Sequence, residues 1–135
     1  MKQGFVKVAS ATPRIRVADP VYNAQVICEQ AKEAAEHGAK IVVFPELCIT
    51  GYTCNDLFLQ ELLLEKAKEA LLTIAEETGQ LETLFLVGLP VDKDGRLYNV
   101  AAVLYRGRIL GMIPKKNIPM YAEFYDCLLY TSDAA

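Results

Sequence analysis

Glu46 and Lys115 are the two residues whose types and positions best suit chemistry. Glu46 stands just beyond the apolar run Ile41-Val42-Val43-Phe44, and in open α/β sheets functional groups gather at the carboxyl ends of strands. Partial burial at such a place moves a carboxyl group toward the range a general base needs. Lys115 follows Met112-Ile113-Pro114 at the end of the last predicted strand. From there its ammonium would reach the same sheet edge and stabilise a developing oxyanion. A Glu base and a Lys electrophile imply acyl transfer only if a nucleophile joins them, and a thiol ionises more readily than a hydroxyl. Cys48 lies two residues from Glu46 and Cys54 lies in the same loop, but neither spacing says that its sulfur faces the base. Taken singly, each of these residues reads equally as a solvated charge or a small buried hydrophobe.

The remaining reactive types narrow the chemistry further. His37 is the only imidazole, so any Ser-His-Asp or Cys-His mechanism would have to run through it. It sits in the last turn of a predicted helix immediately before Gly38, where a cation suits the helix dipole and glycine supplies the left-handed cap; it is read as a cap. The four cysteines, Cys28, Cys48, Cys54 and Cys127, have neither zinc-site spacing nor a Cys-x-x-Cys pair, and no metal site is expected.

Elements that would position these groups follow from the hydrophobic pattern. Phe5 to Ala11 alternates as a first strand. Asp19 caps a helix with Pro20 at its first position, and Ala24, Ile27, Cys28, Ala31, Ala34 and Ala35 recur at helical spacing up to His37-Gly38. Ile41 to Phe44 reads as a strand covered on both faces. After a polar loop, Asp56 is expected to cap a second helix carrying Leu63, Ala67, Ala70, Leu71 and Ile74 on one face and ending near Gly79. Leu84 to Gly88 is a third strand, and Leu97 to Tyr105 and Arg108 to Ile113 flank a two-residue turn at Arg106-Gly107. The order predicts an α/β layer structure with a mixed sheet.

Composition sets outer bounds. The chain has 135 residues, a net charge of -3 and 53% hydrophobic residues, enough for a core of its own. With no basic cluster beyond Lys115-Lys116, no nucleic acid or anionic membrane is expected as a partner. Apolar runs of about four residues fall far short of the ~20 that span a bilayer. Lys7 interrupts the first apolar stretch, so no signal peptide is expected and the chain reads as cytoplasmic, with reduced thiols.

Phe44-Pro45-Glu46-Leu47 with Gly51-Tyr52, and Pro114-Lys115 after a hairpin, resemble the Glu and Lys signatures of the nitrilase, or carbon-nitrogen hydrolase, superfamily. More narrowly, Gly51 to Gln60, Val87-Gly88-Leu89-Pro90, Gly95-Arg96-Leu97-Tyr98-Asn99 and Pro114 to Tyr125 resemble the amino-terminal glutaminase domains of glutamine-dependent NAD synthetases. The resemblance implies part of an α-β-β-α sandwich, with residues 1–126 as the first portion of the glutaminase domain. It also implies a Glu-Lys-Cys mechanism on glutamine. Glu46 would be the base and Lys115 the oxyanion stabiliser, Tyr52 and Tyr121 would line the glutamine pocket, and Glu123 would orient Lys115. The nucleophilic Cys belongs to a later strand absent from this chain, and that role is not carried over to Cys48 or Cys54. ATP, Mg and deamido-NAD would belong to a synthetase domain also absent from it, in a parent expected to be a homo-oligomer. The fragment alone is expected to be inactive. Residues 127–135 depart from the family pattern and are expected to be an artefactual tail. Alternatives are a hydrolase of another amide or nitrile, or a non-catalytic nitrilase-like binding module.

Overall fold

The computed structural model describes residues 4–54, 57 and 60–116. Five strands and two helices follow in the order β1 (Val8–Ser10), α1 (Pro20–Glu36), β2 (Ile41–Val43), α2 (Glu61–Glu77), β3 (Leu84–Lys93), β4 (Arg96–Tyr105) and β5 (Arg108–Pro114). They form one mixed sheet of order β1-β2-β3-β4-β5. The pairs β1/β2 and β2/β3 are parallel, and β3/β4 and β4/β5 are antiparallel. Consequently β2 and β5 run in the same direction, and the residues that follow them emerge at one end of the sheet.

Alternation along the strands sorts the side chains into two faces. Val42, Phe85, Val87, Leu89, Ala102 and Leu104 are buried against the apolar stripes of the two helices, Ala24, Ile27, Cys28 and Ala31 from α1 and Ala67, Leu71 and Ile74 from α2. Truncating a fully buried core residue such as Ile74 to Ala costs about 2–5 kcal/mol. The opposite face carries Ile41, Val43, Leu86, Val103 and Ile113, and there Val43 is 45% and Ile113 58% exposed. The β2 run is therefore covered on one face only. Its continuous apolarity reflects an uncovered sheet face, not burial on both sides.

Local signals account for most boundaries. Asp19 accepts from the Tyr22 amide at 3.1 Å with Pro20 beginning α1. His37 occupies the C-cap, its ring Nδ1 2.8 Å from the Glu33 carbonyl, and Gly38 follows with φ +88°. The second helix begins at Glu61 with Gln60 at its N-cap and no side-chain cap bond; Asp56 lies outside the described residues. The edge strand β1 is shorter than its alternating pattern because β2 offers only three partners, although Lys40 N–H to Lys7 O and Ala11 N–H to Val43 O continue the pairing. Conversely β3 runs past Gly88 to Lys93. Beyond Leu86 it has no β2 partner, so Pro90 forfeits no bond on that side. Asp94-Gly95, with φ values of 54° and 77°, makes a second tight hairpin like that at Arg106-Gly107, with 51° and 81°, the pattern of a type I′ turn.

Candidate active site

Adjacent strands lie about 4.8 Å apart, so β2 and β5 are separated by about 14 Å. Glu46 crosses that gap because the chain turns over β3 as it leaves β2. Phe44 N–H still bonds Leu86 O at 2.9 Å; then Gly51 N–H bonds Leu47 O at 2.7 Å and Ile49 N–H bonds Gly88 O at 3.1 Å. Leu47, fully buried, holds φ at +53°, an uncommon conformation for a residue with a side chain. From α1, the buried Asn23 amide donates to Ile49 O at 2.8 Å and pins the turn from behind. Beneath it is Gly88, where a Cβ would stand 2.4 Å from the Leu47 amide nitrogen. Only glycine lets the turn lie this close.

Lys115 completes the pair. Its amide donates to Asn99 O at 2.8 Å, one step beyond the β4/β5 ladder, and its Nζ donates to Glu46 Oε1 at 2.7 Å. Asn99 Nδ2 donates to the same Oε1. The side chains of Lys115 and Glu46 are 29% and 38% exposed, so their ion pair adds about 0–1 kcal/mol to stability; its importance is geometric. The three residues edge an open cavity of about 370 Å³ whose floor is formed by Val43, Leu86 and Ile113. A carboxylate, an ammonium and an apolar floor suit a small substrate with one polar, reactive end.

Among the other predicted site residues, Tyr52 packs beside Leu47, Cys54, Leu63 and Leu97 and is not part of that cavity lining. Tyr121 and Glu123 lie outside the described residues. Cys48 is buried with Sγ directed at Gly88 O at 3.7 Å, and burial pushes its thiol up to about 11. Cys54 is buried with Sγ bonded to Thr50 O at 3.1 Å, and burial again raises its pKa. Neither has the low-pKa, electropositive surroundings of an activated nucleophile. Asn99 has no role in the sequence reading. Its signal is a polar residue of low strand propensity beside Val100 in an apolar strand, a residue that must find a partner when buried. Among the described residues, no three or more His, Cys, Asp or Glu side chains converge as a metal site, and no helix is long and apolar enough to cross a membrane.

The carbon-nitrogen hydrolase profile matches residues 7–126. The chain belongs to the carbon-nitrogen hydrolase family. As a carbon-nitrogen hydrolase it is 39% identical over 125 residues to the glutamine-dependent NAD(+) synthetase of Mycobacterium tuberculosis strain H37Rv, covering 93% of this chain and 18% of that protein. It thus spans about one-fifth of the length of such relatives. Its fold matches the crystal structure of a glutamine-dependent NAD(+) synthetase from Cytophaga hutchinsonii with a TM-score of 0.88 at 26% identity, covering 96% of this chain and 22% of that one. An amidase from Nesterenkonia sp. AN1, whose active-site cysteine adds acrylamide, shares the fold with a TM-score of 0.77 at 21% identity, over 96% of this chain and 50% of that one. The nitrilase-like fold expected from the sequence is thus present in its α/β layer pair, a mixed five-stranded sheet with two helices.

Proposed function

We propose that this carbon-nitrogen hydrolase segment is part of the glutamine-hydrolysing domain of a glutamine-dependent NAD synthetase. The contact of Glu46 with Lys115 through a single carboxylate oxygen carries the reading, supported by the likeness to synthetases at 39% identity. In this reading a cysteine thiol from sequence beyond this chain loses its proton to Glu46, and the thiolate attacks the side-chain amide carbon of glutamine. The carbonyl π electrons move to oxygen, where the Lys115 ammonium stabilises the oxyanion. As the oxyanion collapses, the C–N bond breaks and the nitrogen takes the proton back from Glu46 and departs as ammonia. Glu46 then removes a proton from water as it attacks the thioester, releasing glutamate and restoring the thiol.

The ammonia would serve an ATP- and Mg-dependent amidation of deamido-NAD to NAD in another part of the parent protein, and no residue of this chain is assigned to ATP or Mg. Tyr52 and Tyr121 are assigned to the glutamine pocket and Glu123 to orienting Lys115, with the parent a homo-oligomer in the cytoplasm. This chain alone would bind without turning over, because a base and a cation without the thiol form no covalent intermediate. The test is ammonia release from glutamine, and NAD formation from deamido-NAD and ATP, by the full-length protein. Glu46→Gln is expected to abolish glutamine-supported NAD formation while ammonium chloride restores it. Undiminished glutamine use by that variant would overturn the reading; release of ammonia from simple amides without NAD formation would favour a different amidase.

A further inference from the structure

We propose that Asn99 is a positioning residue that sets the Glu46 carboxylate against Lys115, an inference that rests on the glutamine-hydrolysing reading above. Its amide Nδ2 donates to Glu46 Oε1, the oxygen that also accepts from Lys115 Nζ at 2.7 Å. Its main-chain carbonyl accepts from the Lys115 amide at 2.8 Å. One residue therefore touches both members of the pair, by side chain on one and by main chain on the other. Asn99 is 3% exposed and paired with Pro90 across β3, whereas Glu46 and Lys115 keep 38% and 29% of their side chains in solvent.

That contrast in burial gives Asn99 its role. Long side chains in a solvent-facing ion pair lose rotamer entropy when held together and gain little energy in return. Left to themselves they would sample many geometries, and a base displaced by about 1 Å costs about 100-fold in rate. A donor fixed in a buried strand removes that freedom. Occupying Oε1 with two donors also makes Oε2 the oxygen that takes the thiol proton. An amide neither gives nor takes a proton here, so Asn99 acts only through Glu46. Asp at this place would turn an acceptor toward a carboxylate, and Ala would leave a gap beside it.

The test uses the full-length protein and the variants Asn99→Ala and Asn99→Asp. In glutamine hydrolysis, kcat is expected to fall about 10- to 100-fold in N99A with KM within about twofold, and to fall further in N99D. A space-filling role reverses that order, because Asp keeps the shape that Ala loses; N99D turning over near the wild-type rate overturns the proposal. The isosteric N99D keeps the comparison available if the gap in N99A prevents folding. A second readout needs no turnover: acetylation of Lys115 by acetic anhydride, followed by mass spectrometry. Glu46→Gln is expected to expose Lys115 and speed its labelling severalfold, and N99A and N99D are expected to do the same. Wild-type labelling rates in both Asn99 variants beside a faster E46Q overturn the assignment. If the wild type releases no ammonia from glutamine while the Asn99 variants label like E46Q, the glutamine reading fails and the positioning of Glu46 by Asn99 stands.

Discussion

Replacing Gly88 with Ala tests whether the Glu46-bearing turn is held by close approach to β3. An alanine Cβ would meet the Leu47 amide nitrogen at 2.4 Å, the Pro45 carbonyl oxygen at 2.8 Å and the Glu46 carbonyl carbon at 3.0 Å. Ordinary contact begins near 3.4 Å, so the worst overlap is 1.0 Å. All three obstacles are main-chain atoms, which cannot rotate aside as a flexible side chain does. The turn must lift, against the Ile49 N–H to Gly88 O bond at 3.1 Å and the Asn23 clamp at 2.8 Å. Overpacking of this kind costs about 1–3 kcal/mol, and rigid neighbours place G88A at about 3 kcal/mol. A lift of about 1 Å also takes Glu46 Oε1 out of hydrogen-bond range of Lys115, for a loss of about 100-fold in glutamine hydrolysis. Urea denaturation of the full-length protein, followed by a probe of this domain, measures the first effect and ammonia release the second. Gly111→Ala is the control, since nothing lies within 4 Å of a Cβ there; it is expected to change stability by less than about 0.5 kcal/mol. A G88A protein that matches G111A in both assays refutes the reasoning.

Three further outcomes follow from the geometry. Lys115→Met is expected to lower glutamine kcat/KM by about 100- to 1,000-fold while moving stability by no more than about 1 kcal/mol, because the pair is partly solvated; steady-state kinetics beside urea denaturation separates the two. Burial raises the thiol of Cys28 from 9.0 to about 12, with the Glu77 carboxylate adding to the effect, and that of Cys48 to about 11. A raised folded-state value means the native protein keeps these protons after the unfolded chain has lost them. Stability is thus undiminished below pH 9 and falls above it, by about 1 kcal/mol per thiol near pH 10; Cys28→Ala is expected to flatten that slope in urea titrations at pH 8 and 10, and an unchanged slope would contradict it. Cys48 and Cys54 are expected to react with Ellman's reagent only as the protein unfolds, so rapid labelling of either in the native state would show that burial does not govern them.

How much was legible beforehand depended on how local each signal is. The cap at Asp19-Pro20, the helical stripe through Ile27 and Ala31 and the positive-φ turn at Arg106-Gly107 are determined within a few residues, and the structure has all of them. Asp94-Gly95 is an equally local hairpin signal that the sequence reading passed over, since Gly88 and Pro90 seemed to end β3. Glu46 and Lys115 were legible as strand-end charges, but their contact was not, because it needs the turn to cross β3 and depends on a glycine whose purpose lies in tertiary approach. The same holds for Asn99, whose partner is remote in sequence. The open sheet face was misread at β2 because an apolar run looks the same whether a second layer covers it or not.

The strand order also sets the sequence in which this corner of the molecule is put together. Strands β3, β4 and β5 are joined by two tight hairpins, so their pairings close short loops and form on the timescale of local structure. The β2/β3 pairing must wait for a crossover that contains the whole of α2, a slower, non-local step. Asn99 and Lys115, bonded within the meander, are thus in register before the Glu46 turn arrives. The notch above Gly88 is ready-made, and the carboxylate is the last piece to dock, which makes the site a readout of whether the parallel half of the sheet has zipped onto the antiparallel half.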